Sequence, residues 1–290
     1  MTAAPPEELP GEIEYLRLPR PAELFARRAE RLRELAPENP LRDLLAALAE
    51  LVDAQRAVAP RVGPGPAPAD LPLEVPLAAA RLRRQPEWRA AIPSILGELR
   101  PGSWPGPARA AMARLAAAAP VEIEALADEI LAPPYRPADL AAAPFVAAAL
   151  QVYFASHAAL LAPSSVARTR SGCPVCGSPP VAGLVLGDDK LRYLACSLCG
   201  SEWNLPRIQC WLCRSTGGIS FLAIEGGPEG LRAEACSSCK AYVKLFYREQ
   251  RPRAEPLADD LASLALDLLA AEEGWARSGV NLFLAGGAAG

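Results

Sequence analysis

All eight cysteines of this 290-residue chain fall between Cys173 and Cys239, as four pairs of one spacing: Cys173/Cys176, Cys196/Cys199, Cys210/Cys213 and Cys236/Cys239. Two residues between cysteines is the spacing a tight loop needs to aim both sulfurs at one ion. A tetrahedral site takes four ligands, so two loops close one site and four loops mean two sites. Pairing neighbours in order gives C-x2-C-x19-C-x2-C followed by C-x2-C-x22-C-x2-C, intervals that suit a metal ribbon with a small β-hairpin between its loops. Ten residues separate Cys199 from Cys210, so the ribbons are expected to abut at a rigid joint around Trp203 and Pro206. An interleaved pairing is disfavoured because its longer loops cost more entropy to close.

Two other readings of the cysteines fare worse. The chain opens MTAAPPEELPGEIEYL, without the apolar run of a secretory signal, so a cytoplasmic location is expected and stable disulfides are not. A redox dithiol of the thioredoxin kind normally occurs once, at a helix start after a strand, whereas here the motif recurs four times among turn and β-forming residues. The expected cofactors are therefore two metal ions per chain, each in a four-cysteine site. Ligand count suits iron and zinc equally, and iron would make a rubredoxin-like one-electron centre.

Alanine, leucine, proline and arginine dominate the sequence before the cysteines. The expected fold class is α+β, with an all-α domain and N-terminal arm over 1–165, metal ribbons over 166–205 and 206–252, and a C-terminal helix and tail over 253–290. Within the arm, Ile13, Tyr15 and Leu16 are the expected anchors. A helix from Pro21 places Leu24, Phe25, Leu32 and Leu35 on one side, and its arginines Arg27, Arg28, Arg31 and Arg33 read as a solvated face with Glu30 and Glu34. Asn39 and Pro40 read as the cap and first turn of a second helix, and the proline-rich run after Ala59 as a long loop. Further helices are expected at 86–100, kinked by Pro93, and at 106–119, 121–132 and 144–162. From Leu140 to Ala167 no charged residue appears, yet Gln151, Ser156, His157 and Pro144 interrupt the run, which reads as a buried central helix and not a membrane span. His157, the only histidine, reads as a core residue. A last helix is expected from Leu257 to Glu273, with an acidic face at Asp259, Asp260, Asp267, Glu272 and Glu273.

Gly177 and Gly200 follow Cys176 and Cys199, where a metal loop needs positive φ. Arg214 and Lys240 hold the corresponding places in the second site, so its loops are either strained or of another shape, and the two sites are expected to differ in metal affinity.

Four cysteines per ion leave no vacancy for substrate or water. No His-Glu pair, glycine-rich phosphate loop, serine elbow or spare cysteine accompanies them, so the chain reads as no enzyme. Twelve Lys and Arg face eight Asp and Glu between Arg168 and Glu255, a surplus of four that two divalent ions in four-thiolate sites, each leaving −2, cancel. Basic and acidic residues also alternate, so no nucleic acid is expected as partner. Zinc-ribbon regulation, electron carriage and protein scaffolding remain as classes, and a homodimer stays open.

CPVCGSPP, LRYLACSLCGSEW, RIQCWLC and ACSSCKAYVKLFY resemble, in order and spacing, the formate dehydrogenase accessory proteins of the FdhE type. The likeness extends to FARRAERLRELAPENPLRDLL and to DDLASLALDLLAAEEGWARSGVNLFL. It implies a cytoplasmic, non-catalytic helper that contacts the molybdenum-bearing catalytic subunit of formate dehydrogenase, with two rubredoxin-like iron centres on the eight cysteines. The family pattern has Trp-His after the second cysteine pair, where this chain has Trp203 and Asn204, which puts any role of that histidine in doubt. The family's Asn-Pro-Phe is Asn281, Leu282 and Phe283 here.

Overall fold

The computed structural model describes residues 13–61, 74–80, 82, 84–168 and 172–285. Most of the expected proline-rich loop, the first twelve residues of the arm and the tip of the tail lie outside the described residues. The elements run β1 (Leu16–Arg17), α1 (Pro21–Leu35), α2 (Arg42–Val58), α3 (Ala91–Glu98), α4 (Gly106–Ala117), α5 (Pro120–Leu131), α6 (Ala143–Ala158), β2 (Pro180–Leu186), β3 (Leu191–Cys196), β4 (Glu202–Asn204), β5 (Ile219–Leu222), β6 (Leu231–Cys236), β7 (Ala241–Tyr247), α7 (Pro256–Leu261), α8 (Leu264–Glu272) and β8 (Ala276–Arg277). Helices thus fill the first half and a sheet the second, as the cysteine placement and helical periodicity foretell.

The central helix is α6. It is almost wholly buried, including Gln151, Ser156 and His157, and packs against α2, α3 and α5. Alanine around its circumference lets those helices approach, and two of its polar residues bond inside: Gln55 Nε2 donates to Gln151 Oε1 at 2.8 Å, and His157 Nδ1 meets the Tyr153 carbonyl at 2.9 Å. Burial lowers the His157 pKa, as befits a core histidine. No described helix is long and apolar enough to cross a membrane.

Local chemistry moves several helix ends. Pro21 sits at the first position of α1 as expected. Asn39 does not cap α2; its Oδ1 accepts from the Leu41 amide at 2.9 Å and closes a turn, so the helix starts at Arg42. The kink expected at Pro93 becomes a change of helix type, 3-10 over Pro86–Ala90 and α from Ala91. That change puts the proline in the first turn, where no N–H is needed. Ile13 is exposed and anchors nothing, whereas Leu16 is buried and pairs with Trp203.

One sheet holds both ribbons. Its order is β1-β4-β3-β2-β7-β6-β5, with β2/β3 and β5/β6 as the hairpins between cysteine loops and β2/β7 as the parallel seam between ribbons. The expected joint holds at Pro206, which lies in the connection between the ribbons, but not at Trp203, which lies in β4, between β1 and β3, on the far side of the first ribbon. The seam is instead β2–β7, reinforced by Arg192 of β3. Its guanidinium pairs with Glu234 of β6 and donates to the carbonyls of Pro206 at 2.6 Å and Gln209 at 2.8 Å, pinning the connection between ribbons. In chain order each ribbon contributes three strands, and the third strand of the second lies against the first strand of the first. That arrangement leaves β5 as an edge.

Two further expectations give way at the C-terminus. The helix expected from Leu257 to Glu273 breaks at Ala262–Ser263, because Lys244 Nζ reaches into the gap and donates to Asp260 O at 2.8 Å and Ser263 Oγ at 3.1 Å. Its acidic face is partly interior. Asp259 and Asp260 are buried, Asp259 against Arg31 and Arg251, and Asp260 against Lys244 and Arg277. The arginine face of α1 is likewise not simply solvated, since Arg28 is buried on Glu255 at 3.0 Å.

Candidate metal centres

The eight cysteines gather into two groups, Cys173, Cys176, Cys196 and Cys199, and Cys210, Cys213, Cys236 and Cys239, each with its sulfurs within 4.8 Å of one another. Pairing is therefore in chain order and not interleaved. The sequence builds each loop with the same turn. The amide of the residue after the second cysteine returns to the first cysteine's carbonyl: Gly177 to Cys173 at 2.8 Å, Gly200 to Cys196 at 3.2 Å, Arg214 to Cys210 at 3.1 Å and Lys240 to Cys236 at 2.8 Å. All four of these residues have positive φ, between 57° and 77°. The second site's loops are thus the same shape as the first site's, held in a conformation that costs a residue with a Cβ about 1 kcal/mol or more.

Sulfur separations fit a metal. Cys173–Cys199 and Cys176–Cys196 stand at 3.5 and 3.4 Å, Cys210–Cys239 and Cys213–Cys236 at 3.7 and 3.6 Å. A tetrahedral ion with metal–sulfur bonds of about 2.3 Å places its ligands roughly 3.8 Å apart. No pair is at bonding distance, and all eight cysteines are free. One backbone group supports a sulfur of the first group, the Cys199 amide pointing to Cys196 Sγ at 3.5 Å, and the Cys199 thiol donates to Ser201 Oγ at 3.3 Å.

Without a metal, four thiols in one small volume cannot all ionise. In the first group burial raises Cys173 and Cys199, while Cys176 goes well below the ordinary thiol range; burial opposes its charge, but hydrogen bonds from its three partners and Ser178 outweigh that. In the second, burial pushes Cys239 up to about 12. Cys236 falls to about 7 because the Cys239 and Ser238 amides, with the Cys213 and Cys210 thiols, overcome burial. Within each group the shifts run in opposite directions, and an arriving dication would displace the protons still held.

The groups sit in different surroundings. The first lies in the main core, and both its loops are clamped from outside the ribbon: the Leu77 and Ala79 amides donate to the carbonyls of Val175 and Cys176 at 2.8 and 2.9 Å, and Gln151 Nε2 to that of Ser197 at 2.8 Å. Ser197 Oγ also accepts from the Leu282 amide at 3.0 Å. These clamps were not legible in the motif; Gln151, a lone amide in an apolar helix, was their one signal. In the second group Cys213 is exposed and Cys239 half-buried. Its loops are held from outside by Trp211, whose indole N–H donates to Ser278 Oγ at 2.8 Å, and by the Ala276 amide, which donates to the Lys240 carbonyl at 2.8 Å. Asn204 donates to the Arg192 carbonyl at 3.2 Å and belongs to neither group.

The N-terminal, central and C-terminal models of FdhE match residues 13–171, 172–207 and 208–284. The chain belongs to the FdhE family. An FdhE homolog of Cronobacter sakazakii is 38% identical over 286 residues, covering 94% of this chain and 91% of its own. The FdhE protein of Escherichia coli O127:H6 is 37% identical over the same shares. The crystal structure of the FdhE protein from Pseudomonas aeruginosa superposes with a TM-score of 0.83 at 38% identity, covering 94% of this chain and all of that one. In this FdhE chain the boundary between the central and C-terminal matches, at 207/208, falls within the connection that Arg192 pins, between the two four-cysteine groups.

Proposed function

We propose that this chain is a non-catalytic accessory protein for formate dehydrogenase, acting in the cytoplasm by binding that enzyme's molybdenum-bearing catalytic subunit during its maturation. The eight cysteines hold one metal ion per group, iron or zinc, with no open position. The observation that carries the reading is the joining of FdhE family membership over nearly the whole chain to two four-sulfur groups that use every cysteine present. A closed site supplies a rigid fold element, not a place for substrate.

Affinity capture of the tagged full chain under anaerobic conditions tests it. The expected result is recovery of a formate dehydrogenase catalytic subunit, lost on Cys173→Ala or Cys210→Ala together with formate oxidation in cells. Capture of transcription machinery or nucleic acid without a molybdenum enzyme would overturn it.

The exposure of Cys213 favours one second reading, a rubredoxin-like electron carrier, since electron transfer needs a centre near the surface. Iron-loaded protein would then bleach reversibly at a defined potential and pass electrons to formate dehydrogenase; absence of reversible bleaching removes this reading and leaves the first.

A further inference from the structure

We infer that the two centres differ in kind: the second, at Cys210, Cys213, Cys236 and Cys239, is the exchange and modification site, entered at Cys213, and the first is a fixed staple. The inference rests on metal occupancy of both groups and is independent of which enzyme the chain serves.

Three independent features separate the groups. The first is solvent access. Cys173, Cys176, Cys196 and Cys199 are no more than 2% exposed, and the cleft beside Val75, Tyr135 and Gly177 that reaches Cys176 leaves it at 1%. Cys213 is exposed, flanked by Leu212 at 47%, and Cys239 is half-buried between exposed Ser238 and Lys240. The second feature is anchoring. Both loops of the first group are tied to α6, to the 77–79 segment or to Leu282, so a sulfur there cannot leave its ion without disturbing the core. In the second group Trp211 is fixed on Ser278 next to Cys210, Cys236 ends a central strand, and the Lys240 carbonyl after Cys239 accepts from the Ala276 amide at 2.8 Å, which leaves Cys213 as the sulfur freest to swing out. The third is the backbone: both glycines of the first group sit where positive φ is free of cost, while Arg214 and Lys240 directly follow Cys213 and Cys239 at φ 66° and 57°. The two strained residues thus adjoin the exposed Cys213 and the half-buried Cys239, and opening either loop releases that strain.

A four-thiolate ion gives way by stepwise exchange, one sulfur at a time. A competing chelator takes the place left by Cys213, then that left by Cys239, while Cys210 and Cys236 still hold. A maleimide probe reports the same opening chemically: the Cys213 sulfur adds across its double bond, forming one sulfur–carbon bond, with the proton supplied by water and no leaving group.

The test uses the full chain loaded with two equivalents of zinc, a chromogenic chelator and N-ethylmaleimide, with labelled peptides mapped by mass spectrometry. One equivalent should be lost about a hundredfold faster than the other, because local opening needs far less free energy than core opening. Label should appear first on Cys213, next on Cys239, and on none of the first four cysteines until the second equivalent leaves. Cys213→Ser should retain one tightly held equivalent and its native hydrogen-exchange pattern in the helices. Loss of both equivalents in a single phase would overturn the inference. So would first labelling at Cys173, Cys176, Cys196 or Cys199, or loosening of the remaining ion in Cys213→Ser.

Discussion

At the scale of single residues, the position after the second cysteine of each loop shows what one turn demands of different side chains. Gly177 and Gly200 both have positive φ, but their surroundings differ. A Cβ on Gly177 would meet only Val75 Cγ1 at 3.6 Å, while one on Gly200 would meet Leu24 Cδ2 at 2.4 Å, under the N-terminal helix. Gly177→Ala should therefore cost about 1 kcal/mol, the backbone term alone, and Gly200→Ala more than about 2 kcal/mol, since overpacking adds to it. Denaturant midpoints of the metal-loaded variants check this, and equal costs would sink it. The reverse change, Arg214→Gly, should tighten zinc at the second centre roughly fivefold by removing a strained turn. Lys240→Gly should be near neutral, because the gain is offset by loss of the ammonium resting 5.0 Å from the Trp275 ring. The eight sulfurs and the two glycines could be read straight from spacing, because a four-sulfur site fixes both the ligand count and the turn. The clamps could not, since Gln151 and Ser197 lie 46 positions apart and neither belongs to a motif.

At the scale of elements, α7 shows where periodicity misleads. Leucine spacing from Leu257 onward is good helix, and aspartates between the leucines look like a wet face. The partners that bring those carboxylates inside come from elsewhere in the chain: Arg31 of α1, Lys244 of β7 and Arg277 of β8. Charge pairs 16 to 228 positions apart have no signature in one sequence. Asp260 is the centre of this arrangement, bonded to Arg277 at 2.6 Å, Lys244 at 2.8 Å and Asn281 at 2.9 Å. Burial opposes its charge, yet Arg277 and Lys244 hold its pKa below the usual carboxylate range. A carboxylate depressed in the folded state contributes stability that is fully present above its unfolded value, about 3.9, and is lost as pH falls through its lower native value. Asp260→Asn should cost about 1.5–3 kcal/mol at neutral pH, because Lys244 and Arg277 each lose a charged partner but keep Asp267, at 2.6 and 3.4 Å. It should also remove part of the acid-limb slope. Urea midpoints between pH 7 and 3 check both, and an unchanged neutral-pH midpoint would count against the arrangement.

At the scale of the whole molecule, the first centre works as a staple between the helices and the sheet. Its two loops flank the open end of the β2/β3 hairpin, and each is gripped by a different part of the helical half or by the C-terminus: Leu77 and Ala79 on one, Gln151 of α6 and Leu282 on the other. With the ion in place, all four sulfurs converge and the grips are held in register. Without it, four thiols share a volume in which burial and mutual repulsion oppose a second ionisation, so the loops must part or stay protonated. Parting drags on hydrogen bonds more than 90 positions apart in sequence, from Leu77 to Val175. Metal binding to this group is accordingly folding free energy for the helical half, although no ligand lies there. Cys196→Ser should lower hydrogen-exchange protection at Leu77, Ala79 and along α6, and depress the thermal midpoint by roughly 6 °C or more, given about 3 kcal/mol or more lost. Cys236→Ser, the matching change at the second centre, should leave α6 protected, because the second group makes no bond to that helix among the described residues. Full protection of Leu77 and Ala79 in Cys196→Ser would mean that core packing alone joins the halves, and that the first metal is an ornament of the ribbon instead of the link between helices and sheet.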